Sequence, residues 1–187
     1  MSTWDERYRR GEHTDNQPHP LVVRFAAQLP PGRALDVACG AGRHALHLAE
    51  HGWQVTAVDA STVAIELLTR RAQELGVAVN AQVADLELGE FGISSDSYDL
   101  IVNCCYLQRN LFAAIKAGVR VGGVVLAVIA MTDDDPNVKP MNPAFLLQPG
   151  ELREVFKGWE WLHCSEGKSP ENPSARAKAE IVARRIR

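Results

Sequence analysis

The stretch Ala34–Ala45, ALDVACGAGRHA, decides how the rest of the chain is read. Ala34, Leu35, Val37 and Ala38 surround a single acid, Asp36, and run directly into Gly40-Ala41-Gly42. A short apolar run that meets a glycine pair and then a helical pattern is a strand, a tight turn and a helix. Glycine lets the backbone come close to a ligand, and the helix that follows aims unpaired N–H groups at it. The stretch therefore predicts a small-molecule or cofactor site at the end of a first strand.

Working outward, strands and helices alternate. Leu21, Phe25 and Leu29 recur at helical spacing, and Pro30-Pro31-Gly32 stops that helix. Strands are predicted over 33–38, 53–58, 77–83, 98–104 and 124–130, with helices over 43–51, 62–75 and 110–118 between them. Ser61 is placed to cap the second of these helices and Gly76 to close it. Beyond residue 131 the pattern changes. Residues 132–149 carry three consecutive acids and four prolines, which reads as a long structureless connection of functional type. A short helix over 150–156 and two strands, 159–165 and 177–185, then form an antiparallel hairpin. The alternation predicts a largely parallel sheet with helices on both faces, and a binding crevice at the carboxyl ends of its strands.

Composition bounds the function. The chain has 187 residues, enough for one well-buried domain, and a formal charge of −3. That balance offers no general attraction to nucleic acid or an anionic membrane. The longest apolar run, 124–131, is too short to span a bilayer. The four cysteines lack metal-ligand spacing, so they read as free thiols, no metal is expected, and the cytoplasm is the default location.

Several residues converge on the predicted crevice. Asp59 ends the second strand, about twenty residues after Gly40, where a carboxylate meets the hydroxyls of a ribose. Asp85 follows the third strand. Asp36 has two readings: an acid that serves a ligand's positive centre and amine, or one hydrogen-bonded to nearby backbone. Tyr106 and Arg109 leave the fourth strand. Tyr106 is either a wall of the acceptor pocket or ordinary packing, and Arg109 either attracts an anion or is a solvated residue at a helix start. His13 is a candidate base if the N-terminal segment folds over the site. His44 is expected to be partly packed or solvent-facing. Trp4 and Tyr8 are either a flap over the pocket or simple packing.

Asp36-Val37-Ala38-Cys39-Gly40-Ala41-Gly42 resembles the first motif of class I S-adenosylmethionine-dependent methyltransferases. Asp59 and Val83-Ala84-Asp85-Leu86 match that family's next two segments. The end segments Trp4-Asp5-x-Arg7-Tyr8 and Pro149-Gly150-Glu151-Leu152 resemble the small tellurite-resistance and thiopurine-type branch. Ala38 departs from the motif, which often has glycine there, and residues 167–172 lack the His-Arg pair of tellurite-resistance-like members.

The resemblance implies a Rossmann-like sandwich with a seven-stranded, mostly parallel sheet in the order 3-2-1-4-5-7-6. It implies one domain over 1–187: a cap segment 1–20, a cofactor core 21–131, a loop 132–149, and a helix and hairpin over 150–187. The cofactor is S-adenosylmethionine, held by Trp4, Tyr8, Asp36, Ala38, Gly40, Gly42, Asp59, Ala60, Asp85, Leu86 and Cys104. The methyl group passes by direct displacement to a small molecule such as a thiol or chalcogen oxyanion, with His13, Tyr106 and Arg109 on the acceptor side. A monomer or weak homodimer is expected. Two rivals share the glycine turn: an NAD(P)-binding oxidoreductase domain, and a non-catalytic protein that binds the same cofactor as a regulator or partner subunit.

Overall fold

The structure, a computed structural model, describes residues 3–170, 172 and 174–187. The first two residues of the cap segment, and two residues of the hairpin connection, Glu171 and Pro173, lie outside them.

Helix α1 (Thr3–Arg9) precedes α2 (Pro20–Gln28), which starts at Pro20 because His19 Nδ1 accepts the Leu21 N–H at 3.3 Å. Then β1 (Arg33–Val37), α3 (Arg43–Glu50), β2 (Gln54–Asp59), α4 (Thr62–Leu75), β3 (Val79–Val83), β4 (Tyr98–Cys104), α5 (Leu111–Gly118) and β5 (Val119–Ala130) alternate. Helix α6 (Glu151–Val155) and the strands β6 (Glu160–Gly167) and β7 (Lys178–Arg184) finish the chain. As the sequence predicts, Ser61 Oγ accepts the Ala64 N–H at 3.2 Å to start α4, and Gly76, at φ +69°, closes it.

The seven strands lie in the order β3-β2-β1-β4-β5-β7-β6. The first five are parallel, and β7 runs antiparallel to both β5 and β6. Each face of the sheet buries its own apolar cluster. One joins Phe25, Leu48, Leu68 and Val102, and the other joins Leu35, Ile101, Ile115 and Phe156. This is the Rossmann-like class I methyltransferase sandwich. Its parallel strands all deliver their carboxyl ends to one edge, so five loops meet there.

Two expectations need correction. Strand β5 begins at Val119 rather than Val124, because Gly122-Gly123 bends the strand instead of preceding it. A side chain at Gly123 would sit 3.0 Å from both the Tyr98 and Arg120 carbonyl oxygens, and the register shifts between Tyr98 and Leu100. Residues 132–149 are also not structureless. Met131 bridges Leu147 in parallel, Pro143–Phe145 form a 3-10 turn, and Leu146 and Leu147 are buried. Charged side chains behave as local ties there. Asp133 accepts the Ala177 N–H at 2.9 Å, and Lys168 reaches Asp135 at 2.5 Å.

Candidate functional site

Strand β1 stops at Val37 because the next residue, Ala38, turns to φ +52°, a left-handed conformation that costs a non-glycine residue about 1–2 kcal/mol. Here the departure from glycine is tolerated at the expense of strain, which is a common property of ligand-binding turns. Gly40 and Gly42 continue the turn at φ +55° and +85°. A side chain at Gly40 would strike Tyr8 Oη at 2.5 Å, and one at Gly42 would strike Leu68 at 2.1 Å. Gly40 thus lies under the N-terminal helix, whereas Gly42 packs on α4 and is not part of the cavity wall.

Asp36 is 1% exposed and sits behind this turn rather than on the wall. Its Oδ2 accepts the Ala45 N–H at 3.1 Å, the backbone partner that one of its two readings expects. Burial pushes its carboxyl up to about 7, against the lowering effect of that hydrogen bond. Cys39, next to the turn, is likewise buried, and its thiol is pushed up by desolvation.

Asp59 is organised by the turn it faces. Gly40 N–H donates to Oδ2 at 2.8 Å and Ser61 N–H to Oδ1 at 2.9 Å, which aims the carboxylate while leaving lone pairs for a diol. Burial raises its carboxyl, and the two backbone donors oppose that rise. Asp85 is fixed the same way: Glu87 and Leu88 N–H groups donate to Oδ1 at 2.8 and 3.2 Å. Ala60, Ala84 and Leu86 add apolar surface between the two acids. Tyr106 is tied toward the same side, since its hydroxyl donates to Gln108 Oε1 at 2.7 Å and Gln108 Nε2 donates to the Leu86 carbonyl at 3.2 Å. Burial pushes its phenol up to about 12.

The N-terminal segment does fold over this edge. Asp5 Oδ1 accepts the Ser61 hydroxyl at 2.6 Å and the Val63 N–H at 3.3 Å, fastening α1 to the start of α4. Arg71 donates to the carbonyls of Ala41 at 3.2 Å and Thr14 at 2.9 Å, so the loop after α1 is anchored to the glycine turn. Tyr8 is buried against Ala41 and Ala64. Trp4 remains 45% exposed, with the Arg7 guanidinium 4.5 Å from its ring centre.

A cavity of about 560 Å³ results, well within the range of about 300–1,000 Å³ typical of small-molecule sites. Trp4, Tyr8, His13, Ala38, Gly40, Asp59, Ala60, Asp85, Leu86, Cys104 and Tyr106 all line it. Asp36, Gly42 and Arg109 do not.

Arg109 departs most from expectation. It holds Glu151 through Nε–Oε1 at 2.6 Å and Nη2–Oε2 at 3.0 Å, and it donates to the carbonyls of Ala144 and Leu146. It is a strut under residues 143–151 and not a group that meets an acceptor. His13 lies at the cavity, but its Nε2 faces Arg7 Nη2 at 2.7 Å. A guanidinium only donates, so Nε2 accepts and the ring proton resides on Nδ1. With that lone pair taken, and its pKa lowered by burial and by Arg7, His13 is a donor and not a free base.

Arg43, Asp15, Glu87 and Cys105, which the sequence did not single out, also line the cavity, as does His44, for which packing or solvent exposure was expected. Their signal lay in position: Arg43 and His44 open the helix after the glycine turn, and Cys105 is the first residue beyond β4, at φ +63°. His44 is buried rather than solvent-facing. Its Nε2 has no hydrogen-bond partner among the described residues, and burial followed by Arg43 pushes its pKa down to about 3. Among the described residues no group of three His, Cys, Asp or Glu side chains is arranged to hold a metal ion. None of the described helices is long and apolar enough to cross a membrane.

The family model of the tellurite resistance protein TehB matches residues 1–171. A curated relative from Haemophilus influenzae Rd, described as a probable S-adenosyl-L-methionine-dependent methyltransferase TehB, is 29% identical over 168 residues, covering 86% of this chain and 57% of the relative. Its counterpart from Haemophilus influenzae strain 10810 is 30% identical over 155 residues, 79% of this chain and 53% of the relative. The chain thus spans a little over half the length of these relatives. The crystal structure of TehB from Haemophilus influenzae superposes with a TM-score of 0.78 at 28% identity, covering 97% of this chain and 67% of that one. With the family model matched over most of its length and the fold shared with a solved member, the chain belongs to the TehB tellurite resistance protein family.

Proposed function

We propose that the protein is an S-adenosylmethionine-dependent methyltransferase that acts on a small-molecule acceptor. The observation that carries this reading is the pair of backbone-oriented carboxylates, Asp59 and Asp85, flanking one apolar slot in the cavity that begins at the Gly40 turn. When bound, S-adenosylmethionine supplies a sulfonium methyl group open to displacement by a nucleophile.

Each residue then has a physical task. Asp59 accepts from the ribose hydroxyls. Asp85 and the Leu86 N–H address the amino group and ring nitrogen of adenine, while Ala60 and Leu86 pack on the base. The Ala38–Gly40 backbone holds the methionyl portion, and Asp36 and Gly42 act from behind by fixing the turn. Trp4 and Tyr8 roof the cavity, and Cys104 and Tyr106 form the wall toward the acceptor. Displacement needs collinear approach and exclusion of water more than an acid or base. The roof and the tethered Tyr106 serve both requirements.

A roofed cavity of this size favours a small acceptor over a macromolecule, and the net charge of −3 gives nucleic acid no electrostatic draw. The reading treats the chain as one catalytic unit, monomeric or weakly dimeric, whose four free thiols suit a reducing cytoplasm.

The experiment is calorimetric titration with S-adenosylhomocysteine and with NAD in parallel, followed by turnover of labelled S-adenosylmethionine with thiols, chalcogen oxyanions and small amines. Binding of S-adenosylhomocysteine with label transfer is the expected result. Binding of NAD alone supports an oxidoreductase, and cofactor binding without transfer to any class supports a regulatory subunit.

A further inference from the structure

The cavity lining carries both signs of charge. Asp59, Asp85 and Glu87 come from the ends of β2 and β3 and form its acidic end. Arg43 at the start of α3 and His13 in the N-terminal segment, with Arg7 against His13 and Asp15 3.9 Å from Arg43, form a mainly basic end. The acidic end is absorbed by the adenosine in the reading above, and the basic end has no assigned occupant.

Arg43 is unusual in how little it is committed. Its side chain is 33% exposed, and its polar contacts among the described residues are Asp15 Oδ2 at 3.9 Å and Cys105 Sγ at 4.0 Å. Both are longer than the roughly 2.7–2.9 Å of a charge-assisted hydrogen bond. Arg109, by contrast, spends its guanidinium on two carboxylate oxygens and two carbonyls. Arg43 is therefore a planar fork of donors held at the wall between the N-terminal loop and the exit of β4, with no oxygen partner at bonding distance. His13 lines the same cavity. Because Arg7 occupies Nε2, the neutral ring presents Nδ1–H. Tyr8, His13, His44, Cys104 and Cys105 line the same cavity as Arg43.

We propose that Arg43, assisted by His13 Nδ1–H, is the residue that seats an anionic group of the acceptor, so that the preferred acceptor is a small nucleophile bearing a carboxylate or comparable planar oxyanion. A guanidinium matches such a group with two parallel N–H···O bonds, which fixes orientation as well as charge. The neighbouring nucleophilic atom is then held at a set angle beside Cys104 and Tyr106. Asp15, mostly exposed at the rim, is the internal anion nearest Arg43 and is the group an acceptor must displace.

The inference rests on the methyltransfer reading of the cavity. Its test is calorimetric titration of the protein, saturated with S-adenosylhomocysteine, with mercaptoacetate and with its neutral counterpart mercaptoacetamide. The acid is expected to bind ~10-fold or more tighter than the amide, the scale of one charge-assisted pair. Arg43→Gln should erase that preference while changing S-adenosylhomocysteine affinity less than about 2-fold, a difference too small for a lost ion pair. Arg43→Lys should keep part of the preference, and Asp15→Asn should strengthen acid binding. Equal binding of the two probes, or of neither, overturns the proposal. So does Arg43→Gln weakening S-adenosylhomocysteine while the preference survives, which would give Arg43 to the methionyl carboxylate. Failure of S-adenosylhomocysteine to bind the unmodified protein is a separate result, and it overturns the methyltransfer reading itself.

Discussion

The two ends of the cavity are built on different length scales. At the acidic end, Asp59 is oriented by Gly40, 19 residues away, and by Ser61, two residues away; Asp85 is oriented by Glu87 and Leu88. Backbone N–H groups of the turns at the strand ends do that work, three of the four within three residues of the acid they hold. At the basic end, α1 is fastened by a bond from Ser61 to Asp5 across 56 residues, and the loop after it by Arg71 to Thr14 across 57. Local geometry is cheap to specify and survives many neighbours, whereas a roof held by a few distant bonds can change its lining without disturbing the core. A binding element shared by a superfamily therefore belongs at the first end, and a specificity element at the second.

The sharpest way to break the comparison is at Asp59. Its replacement by Ala removes the diol acceptor and also strands two backbone donors, each loss costing about 1–3 kcal/mol. Calorimetry should register an S-adenosylhomocysteine affinity lower by ~100-fold. Thermal unfolding of the apo protein should shift far less, since the sheet and both apolar clusters remain. A fall confined to stability would mean that the carboxylate serves the turn alone.

The next largest effect concerns pH and draws on two buried groups that oppose each other. His44 has a folded pKa near 3, below its unfolded value of about 6.5, so its contribution to stability is present above pH 6.5 and is lost as pH falls toward 3. Between pH 7.5 and 5 that amounts to about 2 kcal/mol. Asp36 acts the other way. Its folded pKa of about 7 lies above the unfolded value, so its contribution is present below pH 4 and is lost as pH rises through 7. His44→Leu should flatten the acid side of the urea-unfolding profile, and Asp36→Asn should stabilise the protein at pH 8 but not at pH 4. If His44→Leu leaves the difference between pH 7.5 and 5 unchanged, the ring is not buried neutral.

How much of this was legible follows the same division. The alternation of strands and helices, the glycine turn, Asp59 and Asp85 were legible because each is announced by residues within a few positions of it: a β-branched run, a glycine, an acid at a strand end. The order of the strands in the sheet came only through likeness to a family. Trp4 and Tyr8 were legible as aromatic residues ahead of the first domain helix, but whether they roof the pocket or merely pack was left open, because the ties of α1 to α4 cross more than fifty residues. Arg109 was misread because its partner, Glu151, is 42 residues away, and no periodicity in the chain reports that bond. Arg43 was overlooked, and His44 was left between packed and solvent-facing, because a helix start offers several side chains and sequence does not say which one turns inward. Asp36 was half legible: the acid stood out, but whether it faced a ligand or the Ala45 N–H depended on a turn whose dihedrals the residue types left open.

A smaller effect joins the two ends at the point where they touch. Gly40→Ala places a methyl 2.5 Å from Tyr8 Oη at a positive φ, so both the turn and the roof must yield. A ~10-fold weakening of S-adenosylhomocysteine is expected, equivalent to about 1.4 kcal/mol. Adding Tyr8→Phe removes the colliding oxygen and leaves the nearest ring carbon at 3.5 Å, ordinary contact. The double variant should regain the steric part of the loss and keep the part due to the left-handed backbone. If Tyr8→Phe restores nothing, the roof does not rest on Gly40.

The smallest effect belongs to Arg109. Its bond to Glu151 is paired and short, but the side chain is about half exposed, and such ion pairs are worth about 0–1 kcal/mol after solvent screening. Arg109→Gln should therefore move the unfolding midpoint little. It also releases the carbonyls of Ala144 and Leu146, so the segment around the Pro143–Phe145 turn should be cut faster by limited proteolysis. S-adenosylhomocysteine affinity should stay within about 2-fold, because nothing that touches the cavity has changed. The variant thus separates two roles that one arginine type plays in this chain. Preference for mercaptoacetate should survive at Arg109→Gln and disappear at Arg43→Gln. The reverse pattern would return the anion-binding role to the exit of the fourth strand, where one of the two sequence readings of Arg109 had put it.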